Sequence, residues 1–270
     1  MSAEAQPEPQ AKLTLDGVGK SFELTDGEVI DAVVDVSFQV RANEVCMLLG
    51  PSGCGKSTVL RMIAGLEDPT TGRLALDGAE ILGPDGNRGM VFQSYTSFDW
   101  LTVQRNVEYG MRLRKVPAKE RRERADHFID LVRLGKFKNA YPSQLSGGMK
   151  QRVAIARTLA NDPSLLLMDE PFGALDAETR WNMQELMISI VESTETTMVM
   201  VTHDIEEALF LGDRIVFFSR HPGTVLENEA TSFKQGRRVP RKEDALALPG
   251  YGAAERHVMA LMRGQSLLEE

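Results

Sequence analysis

Gly50-Pro51-Ser52-Gly53-Cys54-Gly55-Lys56-Ser57 is the run on which the reading of this chain turns. It matches the pattern G-x-x-x-x-G-K-[ST], which acquires meaning only between a strand and a helix. Both flanks are there. Residues 44–50 run apolar into a glycine turn, and residues 56–66 carry helical spacing. Glycines let the backbone N–H groups turn inward around phosphate oxygens, and the following helix adds its positive N-terminal end. In such a loop Lys56 reaches the β- and γ-phosphates of a nucleotide, and the Ser57 hydroxyl ligates Mg²⁺.

Outward from this run the chain alternates strand and helix. Alternation at residues 12–15 and 36–40 predicts early, antiparallel strands, and residues 74–76 and 89–92 read as two more short ones. Between Ser94 and Ser146 the character changes to helical patterning at 102–114 and 118–134 with clustered charge, a mainly helical insertion. Helices at 148–159, 177–191 and 204–211 then alternate with apolar strands at 165–169, 197–202 and 214–218. This order predicts an α/β fold with a mainly parallel sheet covered on both faces. Beyond Ser219 the signal weakens, with a final amphipathic helix expected at 253–262. The expected division is a core at 12–93 and 149–235, a helical subdomain at 94–148, a C-terminal extension at 236–270 and a disordered leader at 1–11.

Bulk properties narrow the function. The 270 residues are 42% hydrophobic and 26% charged, which is ordinary for a folded chain. A net charge of −8 supplies no global field for DNA or anionic lipid, so a polyanion needs a local site. Two cysteines, Cys46 and Cys54, are too few for a disulfide framework and read as reduced thiols of a cytosolic protein. No window approaches the roughly 20 apolar residues of a membrane span. The N-terminus MSAEAQPEPQ lacks the basic and apolar regions of a secretory signal.

Two further runs carry chemistry. In Leu165-Leu166-Leu167-Met168-Asp169-Glu170 a fully apolar strand ends in two carboxylates. Its tip then meets a cation: Asp169 suits a Mg²⁺ ligand, and Glu170 suits a residue polarising the attacking water. In Leu145-Ser146-Gly147-Gly148-Met149-Lys150-Gln151-Arg152, Ser-Gly-Gly opens a helix and makes a second anion cradle. One nucleotide needs one such loop, so the second calls for explanation.

That second cradle resembles the signature sequence of ATP-binding-cassette (ABC) ATPases, and residues 12 to about 220 follow the order of that family's motifs. The resemblance implies a P-loop NTPase fold with an N-terminal antiparallel β subdomain and an inserted α-helical subdomain. It places Phe22 against adenine and adds Thr58 to the loop residues Gly50 to Ser57 on the phosphates. Gln93 becomes the glutamine joining core to insertion, on the metal and the reaction. Asp176 falls in the loop that crosses to the partner, and His203 becomes the switch histidine on the γ-phosphate. Ser146, Gly147, Gly148 and Gln151 would bind the nucleotide held by Lys56 of a second copy. Asn43-Glu44 departs from the Gly-Glu common at that turn; Asn tolerates positive φ, so the turn is expected to survive.

The implied protein is an ATPase subunit of a transporter. It would use ATP and Mg²⁺, close as a head-to-tail dimer, and sit peripherally on the cytoplasmic face of the cell membrane against separate permease subunits. The segment at 94–103, containing Phe98, Trp100, Leu101, Thr102 and Val103, is similar to that of nitrate/sulfonate/taurine importers, as, less specifically, is Arg220-His221-Pro222-Gly223. Those importers take small anions from a periplasmic or lipoprotein binding protein. Phe98 and Trp100 have two readings: a groove for a helix of the membrane subunit, or packing inside the insertion. An exporter or lipid-transporting ATPase shares the catalytic motifs, and a soluble non-transport ABC protein is a further alternative. No nucleic-acid partner is expected.

Overall fold

A computed structural model of the chain describes residues 11–94 and 96–266. The leader lies outside the described residues except for Ala11, as does Tyr95. The elements run β1 (Ala11–Glu23), β2 (Val29–Arg41), β3 (Val45–Leu49), α1 (Lys56–Ala64), β4 (Thr71–Leu76), β5 (Ala79–Glu80) and β6 (Arg88–Val91). The helical stretch follows as α2 (Val103–Leu113), α3 (Ala118–Leu131) and α4 (Gly147–Leu159). Then come β7 (Leu165–Asp169), α5 (Ala177–Thr194), β8 (Thr197–Thr202), α6 (Ile205–Leu211), β9 (Arg214–Phe218), β10 (Val225–Ala230), α7 (Lys242–Leu246) and α8 (Tyr251–Ser266).

The strands make two sheets. One is antiparallel in the order β2-β1-β4-β5; the other is ordered β10-β9-β3-β8-β7-β6, parallel from β9 to β6. β10 pairs antiparallel with β9 at the edge, where the sequence reading has no strand. Its residues Val-Leu-Glu-Asn-Glu-Ala bury none of their side chains fully, so no apolar run marks it. β1 is longer than the alternation at 12–15 indicates, because irregularities in its pairing with β2 between Leu15 and Ser21 interrupt the two-residue period. Asn43 adopts φ 59°, so the turn before β3 holds the left-handed conformation expected of it.

The parallel sheet separates two buried clusters, and strand alternation assigns each side chain to one of them. Val45, Met47 and Leu49 of β3, Leu166 and Met168 of β7, and Met198 and Met200 of β8 face the cluster shared with α2, α3, α4, α5 and α6. Cys46, Leu48, Leu165, Leu167, Val199 and Val201 face the other, shared with α1 and the antiparallel sheet. Burial on both faces is why these strands read as continuous apolar runs. Ala245, Tyr251 and Val258 join the first cluster, so α7 and α8 pack on the same core. Both cysteines are buried free thiols. No helix among the described residues is long and apolar enough to cross a membrane.

Candidate active site

The glycine run is the turn from β3 into α1. Gly55 stands at φ 90°, and a Cβ there would lie 2.7 Å from the Ala32 carbonyl oxygen of β2, so only glycine fits. Lys56 is buried at 5% exposure and donates to the carbonyl oxygens of Gly50 (2.8 Å) and Pro51 (2.7 Å), with Cys54 Sγ at 3.4 Å. Among the described residues it pairs with no carboxylate. A buried cation held only by neutral groups suits an anionic ligand.

Four neighbouring parallel strands deliver the remaining groups at their C-terminal ends, where open α/β sheets place their ligands. Ser57 Oγ donates to Asp169 Oδ1 at 2.7 Å, joining the first turn of α1 to the tip of β7. Hydroxyl and carboxylate together present the hard oxygen donors that Mg²⁺ selects. The next residue, Glu170, sits at φ 41°, fixed by its N–H to Val201 O (3.1 Å) and its carbonyl to the Gly173 N–H (3.2 Å). His203 Nδ1, after β8, lies 3.2 Å from Glu170 Oε2, and Gln93 Nε2, after β6, lies 3.5 Å from the same oxygen. Two side chains from two other loops thus meet at the Glu170 carboxylate.

The other sequence-predicted residues lie elsewhere. Phe22, at the end of β1, is 38% exposed, with the Lys20 ammonium 4.9 Å from its ring centroid. Ser146 caps α4 by accepting from the Met149 N–H (3.4 Å), and Asp176 caps α5 by accepting from the Thr179 N–H (2.9 Å). That hydrogen bond pulls the Asp176 carboxyl below its ordinary value. No hydrogen bond among the described residues joins residues 146–148 to the glycine run. Gln151 is fully enclosed in α4, and neither of its amide atoms is hydrogen-bonded among the described residues.

Phe98 and Trp100 differ in exposure although their ring centroids stand 5.4 Å apart. Phe98 packs on Tyr109 with ring centroids 4.5 Å apart and beneath the Arg157 guanidinium at 5.0 Å, whereas Trp100 is 72% exposed. The loop between them is pinned by Asn106, a fully buried residue of α2. Its Oδ1 accepts from the Phe98 N–H (2.8 Å), and its Nδ2 donates to the carbonyls of Phe98, Leu101 and Thr102. No role for Asn106 follows from the sequence reading, although a polar residue among the apolar positions Val103, Val107 and Met111 marks it. Gly223 is a second residue whose support emerges only in three dimensions. It bonds β2 through Ala32 and Val34, and a Cβ on it would overlap the Cys54 carbonyl.

Comparison with known proteins bears on the family of the chain. Residues 33–173 match the model of the ABC transporter family. A taurine import ATP-binding protein of Roseobacter denitrificans is 46% identical over 79% of this chain and 80% of its own length. A nitrate import ATP-binding protein of a Synechocystis species is 44% identical over 85% and 86%. Among solved structures, a dimeric ATP-binding cassette in a post-hydrolysis state, bound to ADP and phosphate, superposes with a TM-score of 0.71. That match has 35% identity and covers 81% of this chain and 98% of the other.

Proposed function

Because the chain belongs to the ABC transporter family, we propose that this ATP-binding, ATP-hydrolysing subunit drives import of a small anion of the nitrate, sulfonate or taurine kind. The convergence of Glu170, His203 and Gln93 beside the Ser57–Asp169 pair carries the catalytic part of this reading. The names of the taurine and nitrate import relatives support the transport part.

The residues divide the work as follows. Lys56 and the amides of residues 50–58 hold the phosphates, and Phe22 offers the face of its ring that Lys20 does not cover to adenine. Ser57, Asp169 and Gln93 hold Mg²⁺. Bound there, Mg²⁺ neutralises charge on the phosphate oxygens. Glu170 orients the attacking water and accepts its proton at a carboxylate oxygen, and His203 holds that carboxylate while reaching toward the γ-phosphate. Ser146, Gly147 and Gly148 cradle the nucleotide bound by a second copy, whose loop at Asp176 crosses the interface.

The working unit is then a head-to-tail dimer, peripheral on the cytoplasmic face of the membrane, against permease subunits served by a substrate-binding protein. Trp100, exposed on a pinned loop, is the anchor offered to the permease. A mixing experiment tests the composite site. In a Glu170→Gln background, Lys56→Ala alone and Ser146→Arg alone each fail to dimerise with Mg-ATP by light scattering. Mixed together, they rebuild one good site of two and recover dimer in part at raised ATP. Unimpaired dimerisation of the Ser146→Arg protein refutes the cradle.

A further inference from the structure

β10 is the edge strand of the parallel sheet, and strand alternation puts Glu227 and Glu229 on one of its faces. That face is turned to α8. His257 Nε2 lies 2.7 Å from Glu227 Oε2, and one ligating atom from each of Glu227, Glu229 and His257 lies within 4.8 Å of the others. The three side chains share the wall of a cavity of about 440 Å³, whose lining also includes the apolar Ile215, Phe217, Val258 and Leu261. Two carboxylates held together beside apolar groups repel, and a single imidazole compensates only one of them. The Glu229 carboxylate makes no hydrogen bond among the described residues.

We propose that Glu227, Glu229 and His257 form a binding site for a divalent transition metal, with zinc the best-matched ion. One imidazole and two carboxylates are a donor set that zinc accepts, whereas magnesium and calcium prefer oxygen alone. The two carboxylates cancel the charge of the ion. At bond lengths of about 2.0–2.2 Å, tetrahedral ligands stand about 3.4 Å apart. That spacing exceeds the 2.7 Å between His257 and Glu227 and lies inside the 4.8 Å that bounds all three ligating atoms, so small side-chain rotations bring them to it. The imidazole gives up its hydrogen bond to Glu227 and binds the ion through neutral Nε2, and the fourth position is left to water. None of the three residues belongs to the nucleotide site. The ion would tie the edge strand to α8 and hold the C-terminal helices on the core.

The test uses full-length, chelator-treated protein titrated with zinc by calorimetry and with cobalt(II) by visible absorption. Wild type is expected to bind about one equivalent that His257→Ala and Glu229→Gln each weaken about tenfold or more. Zinc should raise the melting temperature of wild type more than that of either variant at the same concentration. Glu229 is exposed, so Glu229→Gln carries the test should His257→Ala fail to fold. Undiminished zinc affinity in either variant, or no saturable zinc binding by wild type, overturns the site.

Discussion

Glu170 shows at the residue scale how position makes chemistry. A non-glycine residue at φ 41° is held in a sparsely populated region, and such residues persist where surrounding bonds over-determine them. Here the Val201 and Gly173 backbone groups do so, aiming the carboxylate at His203 and Gln93. Glu170→Gln keeps the shape and the neighbours but removes the proton acceptor. It should bind Mg-ATP normally while losing about a hundredfold or more in turnover. Near-normal ATPase activity with the membrane partner present would release Glu170 from this role. Glu170 stood out in the sequence only in combination: an apolar strand ending in two acids is common enough alone and gains meaning beside a phosphate-binding loop. Its contact with His203 did not show there, since residues on separate strands meet only through the strand order.

At the scale of elements, legibility followed burial. β3, β7 and β8 are enclosed on both faces, so their composition alone marked them. β10 is an exposed, acidic edge whose pairing partner, not its composition, makes it a strand. α6 carries a subtler device that no periodicity reveals. Lys234 reaches its C-terminal end and donates to the carbonyls of Phe210 (2.7 Å) and Gly212 (2.6 Å), and burial pulls its ammonium down to about 7. Unfolded, the same group keeps its proton up to its ordinary value of 10.5. Between those values the unfolded chain holds more protons, so this group's contribution to stability rises with pH, and the cost of the buried charge is full below about 7. Relative to Lys234→Met, wild type should therefore gain melting temperature from about pH 6 to about pH 9. A difference that stays flat across that range would mean that the amine does not titrate there.

At the scale of the whole molecule, one helical insertion sits beside the sheet whose strand ends carry Asp169, Glu170 and His203. Sequence placed that insertion, because its helices interrupt the strand alternation. It left open whether Phe98 and Trp100 line a groove or pack inside the insertion, since their exposure depends on how Asn106 fixes the loop from inside. Trp100→Glu should leave melting temperature and ATP affinity unchanged, as befits a side chain 72% exposed, and should abolish copurification with the permease. A collapsed melting temperature would instead assign the indole to packing. The strand order has a temporal side as well. β3, complete at Leu49 and buried along its entire length, is flanked in the sheet by β8 and β9. On a ribosome it therefore waits for Thr197 to begin one neighbour and for Arg214 to begin the other. The glycine loop that follows β3 is among the first parts translated and among the last to be locked in place. Through that interval an unpaired apolar strand is a natural client for chaperones.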